Sequence, residues 1–336
     1  MTAPKDMPIL KKLALLPFEA KVLGASFVAM AGTVCWLLSS VWRTRTDYNF
    51  GFIVPVFVAY VIWDRSEAIF NFFFNDSDAL PLKREKFWRF SANAFFGAML
   101  VCGLFTYLLF AWIFYLTQNM GSPAFAMTFG FSFTAFAMFY FAAFVGSGGK
   151  KKTLRESLAF LSIFTFPSFV WLVSAPMIGT LEEKISLALL SIVSEVVYEI
   201  MYFLGYVVTL RANVLEFPNG SVGVADACSG IRSLTACLFA GSFLAAVMLD
   251  KFWKKVALVV LSMFFAFFNN ILRAMFLSFW AYEFGSDSIS GEVHDIAGYF
   301  VLGMTVIGLL IFVALFQLNP VPKHLRGGGD SSASGQ

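Results

Sequence analysis

The feature that most constrains this chain is a succession of long apolar runs with clusters of lysine and arginine between them. The runs fall at residues 22–41, 52–72, 90–116, 125–145, 158–173, 234–249, 256–282 and 296–316. About 20 apolar residues in a helix reach roughly 30 Å, the thickness of a bilayer's hydrocarbon core. Composition agrees: 59% of residues are hydrophobic and 13% are charged, where a water-soluble domain carries about 25% charged residues. These values exclude a soluble enzyme and predict an all-α polytopic membrane protein whose standing partner is membrane lipid. A net charge of only +3 gives no ground for expecting a nucleic-acid partner.

The basic clusters orient the spans, because loops rich in lysine and arginine stay cytoplasmic. Lys5, Lys11, Lys12 and Lys21 precede the first run, and Lys83, Arg84, Lys86 and Arg89 the third. Lys150, Lys151, Lys152 and Arg155 precede the fifth, Lys254 and Lys255 the seventh, and Lys323, His324 and Arg326 follow the last. This predicts eight spans with both termini cytoplasmic, the first run staying as an anchor. Arg43 and Arg45 oppose the rule, since they stand in a loop expected outside. Run 52–72 is interrupted by Asp64, Arg65 and Glu67 near its inner end. Residues 1–326 are expected to form one membrane-embedded domain, and residues 327–336 a disordered Gly/Ser tail.

Residues 181–206 are apolar enough to pass for another span, but Ser191, Ser194, Glu195, Tyr198, Glu199 and Tyr202 draw one polar stripe at helical spacing. Two carboxylates in hydrocarbon are costly. We therefore expect an amphipathic helix that does not cross but lies at the outer interface or packs on the bundle. Residues 208–227 alternate and then reach Pro218-Asn219-Gly220. That pattern predicts a short extracytoplasmic β-hairpin with its turn at Asn219–Gly220.

The hairpin delivers Asp226, Cys228, Ser229, Gly230, Arg232 and Ser233 to the mouth of run 234–249. A thiol at a helix N-terminus near an arginine tends to be acidic and nucleophilic, although a lone cysteine is more often a small buried hydrophobe. Two further segments add weight. Arg273 lies 17 residues beyond Val256, about 25 Å along a helix, which brings it to the outer interface at the depth of Cys228. Asn269 and Asn270 stand one turn earlier on its face; an isolated arginine could instead snorkel to headgroups. His294 opens the last run from the same side. Cys35, Cys102 and Cys237 lie inside apolar runs without CxxC spacing, so no disulfide framework, metal centre or cofactor is expected.

Ala227-Cys-Ser-Gly-Ile-Arg-Ser-Leu234, then Asn270-Ile-Leu-Arg273, then His294 before an apolar run resembles the exosortase/archaeosortase family, and its bacterial exosortases in particular. Asp47-Tyr-Asn-Phe-Gly-Phe-Ile-Val-Pro55 resembles that family's early Tyr-x-His-Gly stretch, with Phe50 where the histidine usually stands. The resemblance implies a multi-pass enzyme of the bacterial inner membrane with its active site on the extracytoplasmic side. It implies a cysteine protease or transpeptidase that cleaves C-terminal sorting signals of exported proteins, each a short motif (PEP-CTERM type), a transmembrane helix and a basic tail. It also implies Cys228, Arg273 and His294 as the catalytic set. Asn269, Asn270, Asp226, Ser229, Gly230 and Arg232 would then support them: Asp226 or Asn270 could orient the histidine, and Arg232 could pack or bind the signal. Two other classes fit parts of the sequence. A transporter would use Arg273 with Glu195 and Glu199 as a substrate path, and a non-catalytic scaffold would explain the Phe-rich helices.

Overall fold

A computed structural model describes residues 8–75, 84–145, 152–218, 220–223, 231–289 and 291–318. The apolar runs fold as helices. The short α1 (Ile9–Leu15) precedes α2 (Phe18–Thr44); a 3₁₀ helix (Thr46–Ile53) leads to α3 (Val54–Asp64) and α4 (Ser66–Phe74). Next come α5 (Glu85–Thr117), α6 (Ser122–Val145), α7 (Leu154–Ile163), α8 (Thr165–Phe169), α9 (Trp171–Ser174) and α10 (Gly179–Phe203). After a small sheet, α11 (Ile231–Met248), α12 (Phe252–Phe284) and α13 (Glu292–Gln317) complete the described chain.

Among the described residues, six helices are long and apolar enough to cross a membrane, or seven if the bent pair of Leu154–Ile163 with Thr165–Ser174 is one span. The fold is thus an all-α polytopic membrane protein with a small β-sheet. Large apolar side chains face outward, as Phe95, Val101, Phe105 and Trp112 do along α5. In water such a face would be a liability; against lipid it needs no cover.

Run 52–72 divides at Arg65, whose guanidinium leaves the helix line to donate to Ala246 O at 3.0 Å and to meet Asp64 and Asp250 at 3.4 and 3.5 Å. The fifth run bends by 57° at Phe164. Pro167, three residues after Phe164, lacks an N–H to continue the helix, and it is the sequence signal for that bend.

The charged ends sort as the lysine pattern predicts. At one end Arg89 pairs with Glu85 at 2.9 Å, Glu85 accepts from Leu154 N, and Lys152 donates to Asn75 O. Thr153 and Glu156 form a capping box that starts α7 there. Lys254 donates to Phe316 O, the end of α13, at the same end. At the opposite end Trp42 Nε1 donates to Ser174 O at 2.8 Å, and Arg45 pairs with Glu182. That ion pair accounts for an arginine in a loop where the charge rule disfavours one.

By length and composition α10 qualifies as a span, yet it starts beside the end of α2 and finishes beside the end of α12. Glu182 holds Arg45, and Tyr206, just past the helix, packs on Phe279 and Tyr282 at 5.2 and 4.8 Å between ring centres. Its buried face is Val193, Ser194, Val197 and Met201, while Glu195, Glu199 and Tyr202 are exposed.

The expected hairpin is a three-stranded antiparallel meander: β1 (Thr209–Arg211), β2 (Val214–Phe217) and β3 (Gly220–Gly223). Phe217 pairs with Gly220, so Gly220 belongs to β3 rather than to the expected turn, whose other residue, Asn219, lies outside the described residues. A second turn at Ala212 and Asn213 reverses the chain between Arg211 and Val214. Ala212 has φ 52° there, a left-handed conformation. The sheet is pinned to the connection after α12: a Cβ on Gly220 would stand 3.1 Å from Ser286 Oγ.

Candidate active site

The described positions of the predicted site fall on three consecutive antiparallel helices: 232 on α11, Asn269, Asn270 and Arg273 on α12, and 294 on α13. Where α11 crosses α12, a Cβ on Gly241 would stand 2.4 Å from Ser262 Oγ. The absence of a side chain there is what allows so close an approach. Counting equal steps along the two helices from that contact brings Ile231 level with Leu272. The first residue of α11 is therefore at the depth of Arg273. Cys228, Asp226, Ser229 and Gly230 lie outside the described residues; in sequence Cys228 precedes Ile231 by three positions.

The α12–α13 register is set by a polar contact within apolar surroundings. Asn269, fully buried, donates from Nδ2 to Thr305 Oγ1 at 2.8 Å, and Thr305 Oγ1 donates to Val301 O at 2.8 Å. The buried Cys237 thiol of α11 lies near the same hydroxyl. Thr305 thus joins α12 to α13 beside Cys237 of α11. One turn above Asn269, the Arg273 guanidinium rides over α13, with Nη2 3.8 Å from where a Cβ on Gly298 would stand. Position 294 is four residues before Gly298, hence on the same face and one turn nearer the start of α13. The side chains of His294 and Arg232 lie outside the described residues.

The arrangement collects positive potential. α11 and α13 both begin at this end, and helix N-termini carry unpaired N–H groups and partial positive charge. Arg273 adds a full charge. Beside it lies an apolar cavity of about 360 Å³ walled by Leu272, Phe276, Ala297, Phe300 and Met304. Asn270, only 4% exposed, stands with Asn269 one turn below Arg273. Such a site favours a thiolate, an oxyanion or a carboxylate over their neutral forms.

Thr305 and Gly298 were not legible as site residues. Each is a single small or hydroxylic residue in an apolar run, and the only signal is a hydroxyl placed where hydrocarbon is expected.

The early stretch 47–55 docks on α11. Phe50 and Phe57 each stack on Phe239 at 5.4 Å, and Phe57 on Phe243 at 4.1 Å. Phe50 is thus a packing residue against the helix that follows Cys228. Gly51 faces the Trp42 indole, where a Cβ would stand 2.2 Å from Nε1. Tyr48 is fully buried; burial, with the Glu182 carboxylate adding to it, pushes its phenol up to about 12 and keeps it neutral.

These features define a class: a polytopic membrane protein with a cationic polar site where three helices meet near one end of the bundle. Residues 42–312 match the family described as transmembrane exosortase (Exosortase_EpsH). The match takes in most of the chain, including the 3₁₀ helix and α11 to α13, and the chain belongs to that family of membrane-embedded protein-sorting enzymes. No curated protein and no solved structure matches the chain.

Proposed function

We propose that this exosortase is a cysteine peptidase of transpeptidase type. It cleaves C-terminal sorting signals of the PEP-CTERM type from exported proteins at the outer face of the bacterial inner membrane. The observation that carries the reading is the meeting of three helices at one depth. Arg273 lies over Gly298, one turn from position 294, and level with the start of the helix that Cys228 precedes. The apolar cavity beside Arg273 suits a substrate whose cleavage motif adjoins a transmembrane segment.

In this reading the Cys228 thiolate attacks the scissile carbonyl and forms a thioester. His294 takes up the thiol proton and returns it to the leaving amine. Arg273 holds the developing oxyanion, the thiolate or a substrate carboxylate. Water or an amine then attacks the thioester and releases the product.

The test is co-expression with a protein bearing a tripartite C-terminal signal, read as its size shift. Cys228→Ala should abolish the shift at unchanged enzyme abundance, because alanine costs little packing at a helix entrance. Cys228→Ser should be nearly as inactive, since a hydroxyl's pKa is too high for this mechanism. Cys35→Ala, Cys102→Ala and Cys237→Ala should process normally. Substantial processing by Cys228→Ala would discard the cysteine mechanism and return the transporter and scaffold readings to the front.

A further inference from the structure

At the lysine-rich end, the bend at Phe164 leaves a crevice between α3, α8, α11 and α12, far from Arg273. Its volume is about 390 Å³, within the range of sites that hold small molecules. Val61, Phe166, Phe169, Val173, Val256 and Val260 make its walls apolar, and Arg65, Asp250 and Lys255 stand at its mouth. Trp63 and Trp253 are each 59% exposed at this level, where indoles mark the boundary between headgroups and hydrocarbon.

The charges at the mouth are not equally satisfied. Arg65 caps the carbonyls of Ala246 and Val247 and meets Asp64 and Asp250. The Asp250 side chain is 92% exposed and turned to water. Lys255 is half-buried, lies near the like charge of Arg65 and the opposite charge of the water-facing Asp250, and makes no direct side-chain hydrogen bond or ion pair among the described residues. A half-buried ammonium beside a guanidinium is stabilised by an anion that enters from the open side. An apolar crevice leading from that point towards Val260, about 7.5 Å deeper along α12, suits a hydrocarbon chain attached to the anion.

We propose that this crevice binds one anionic phospholipid, with its phosphate on Lys255 and Arg65 and an acyl chain along Val256, Val260 and Phe169. The leaflet that faces lysine-rich loops is the one rich in anionic lipid, so ligand and site occur at the same surface. This proposal does not depend on the peptidase mechanism.

Native mass spectrometry of the purified full chain, titrated with phosphatidylglycerol or with phosphatidylcholine of the same acyl chains, tests it. Wild type should retain a single phosphatidylglycerol in preference to phosphatidylcholine. Lys255→Gln should weaken phosphatidylglycerol about five-fold or more, the worth of one basic contact near a membrane surface, and leave phosphatidylcholine unchanged. Lys255→Arg should bind as wild type, and Val256→Trp, which fills the crevice and keeps both charges, should weaken both lipids. Equal retention of the two lipids, undiminished phosphatidylglycerol binding in Lys255→Gln, or loss of binding in Lys255→Arg would each overturn the proposal. So would displacement of the lipid by free glycerol phosphate, which would make the site one for a soluble anion.

Discussion

Arg273 separates a snorkelling residue from a functional one. Lysine keeps the charge but loses the planar five-donor fork. If the guanidinium acts on an oxyanion or carboxylate, Arg273→Lys should lower processing by about 10²-fold, the scale of losing one preorganised donor. Immunoblotting of membranes alongside the size-shift assay should find the protein at its normal level. Thr305 makes the complementary case. Thr305→Val keeps the volume and removes the hydroxyl between Asn269 and Val301, leaving the Asn269 amide buried without that partner. The expected cost is about 1–3 kcal/mol, read as a lower midpoint in thermal aggregation, and Thr305→Ser should restore most of it. The sequence placed Asn269 on the face of Arg273, but it offered no way to single out Thr305. Which apolar run abuts which is a long-range packing outcome that single-helix periodicity does not encode.

Among elements, the α5–α6 pair is the clearest case of a helix contact decided by glycine. A Cβ on Gly130 would stand 2.3 Å from the Tyr107 backbone nitrogen, and one on Gly103 2.8 Å from Thr134 Oγ1. Backbone cannot yield as a flexible side chain can, so Gly130→Ala should force the helices apart. The expected loss is about 1–3 kcal/mol or more, visible as reduced accumulation of a fluorescent fusion. Gly32→Ala on α2, where a Cβ meets nothing within 4 Å, should accumulate normally. The break at Arg65 was legible because charged residues interrupt an apolar run. The bend at Phe164 had its signal in Pro167, and the extra strand of the sheet rests on a turn at Ala212 and Asn213 that alternation alone does not reveal.

For the whole molecule, the decisive quantity is the parity of crossings. By the charge rule Lys152, Lys254 and the basic tail share one side, and if the chain crosses eight times, as the sequence predicts, α10 and the sheet stay together on the other. Reporter fusions after Tyr206 and at Gly220 should both give an extracytoplasmic signal. A cytoplasmic signal at Gly220 would put Cys228 on the wrong side and sink the shared-site arrangement. The contacts of α10 with the ends of α2 and α12 support the outer assignment.

By itself the sequence determined the membrane class, the approximate helices, the lysine-rich end and the choice of Arg273 with its two asparagines. Those properties follow from local rules: hydrocarbon tolerates few charges, and a helix repeats every 3.6 residues. Only the tertiary structure decided that Thr305 bonds Asn269 across two helices, that Gly298 receives the Arg273 guanidinium, that Phe50 packs on Phe239, and that a crevice opens beside Lys255. Each depends on which side chains from distant parts of the chain meet, and in a bilayer nearly every helix face is apolar enough to meet any other. Close packing at glycines and a few buried hydrogen bonds select the partners, and these become visible only once the helices stand side by side.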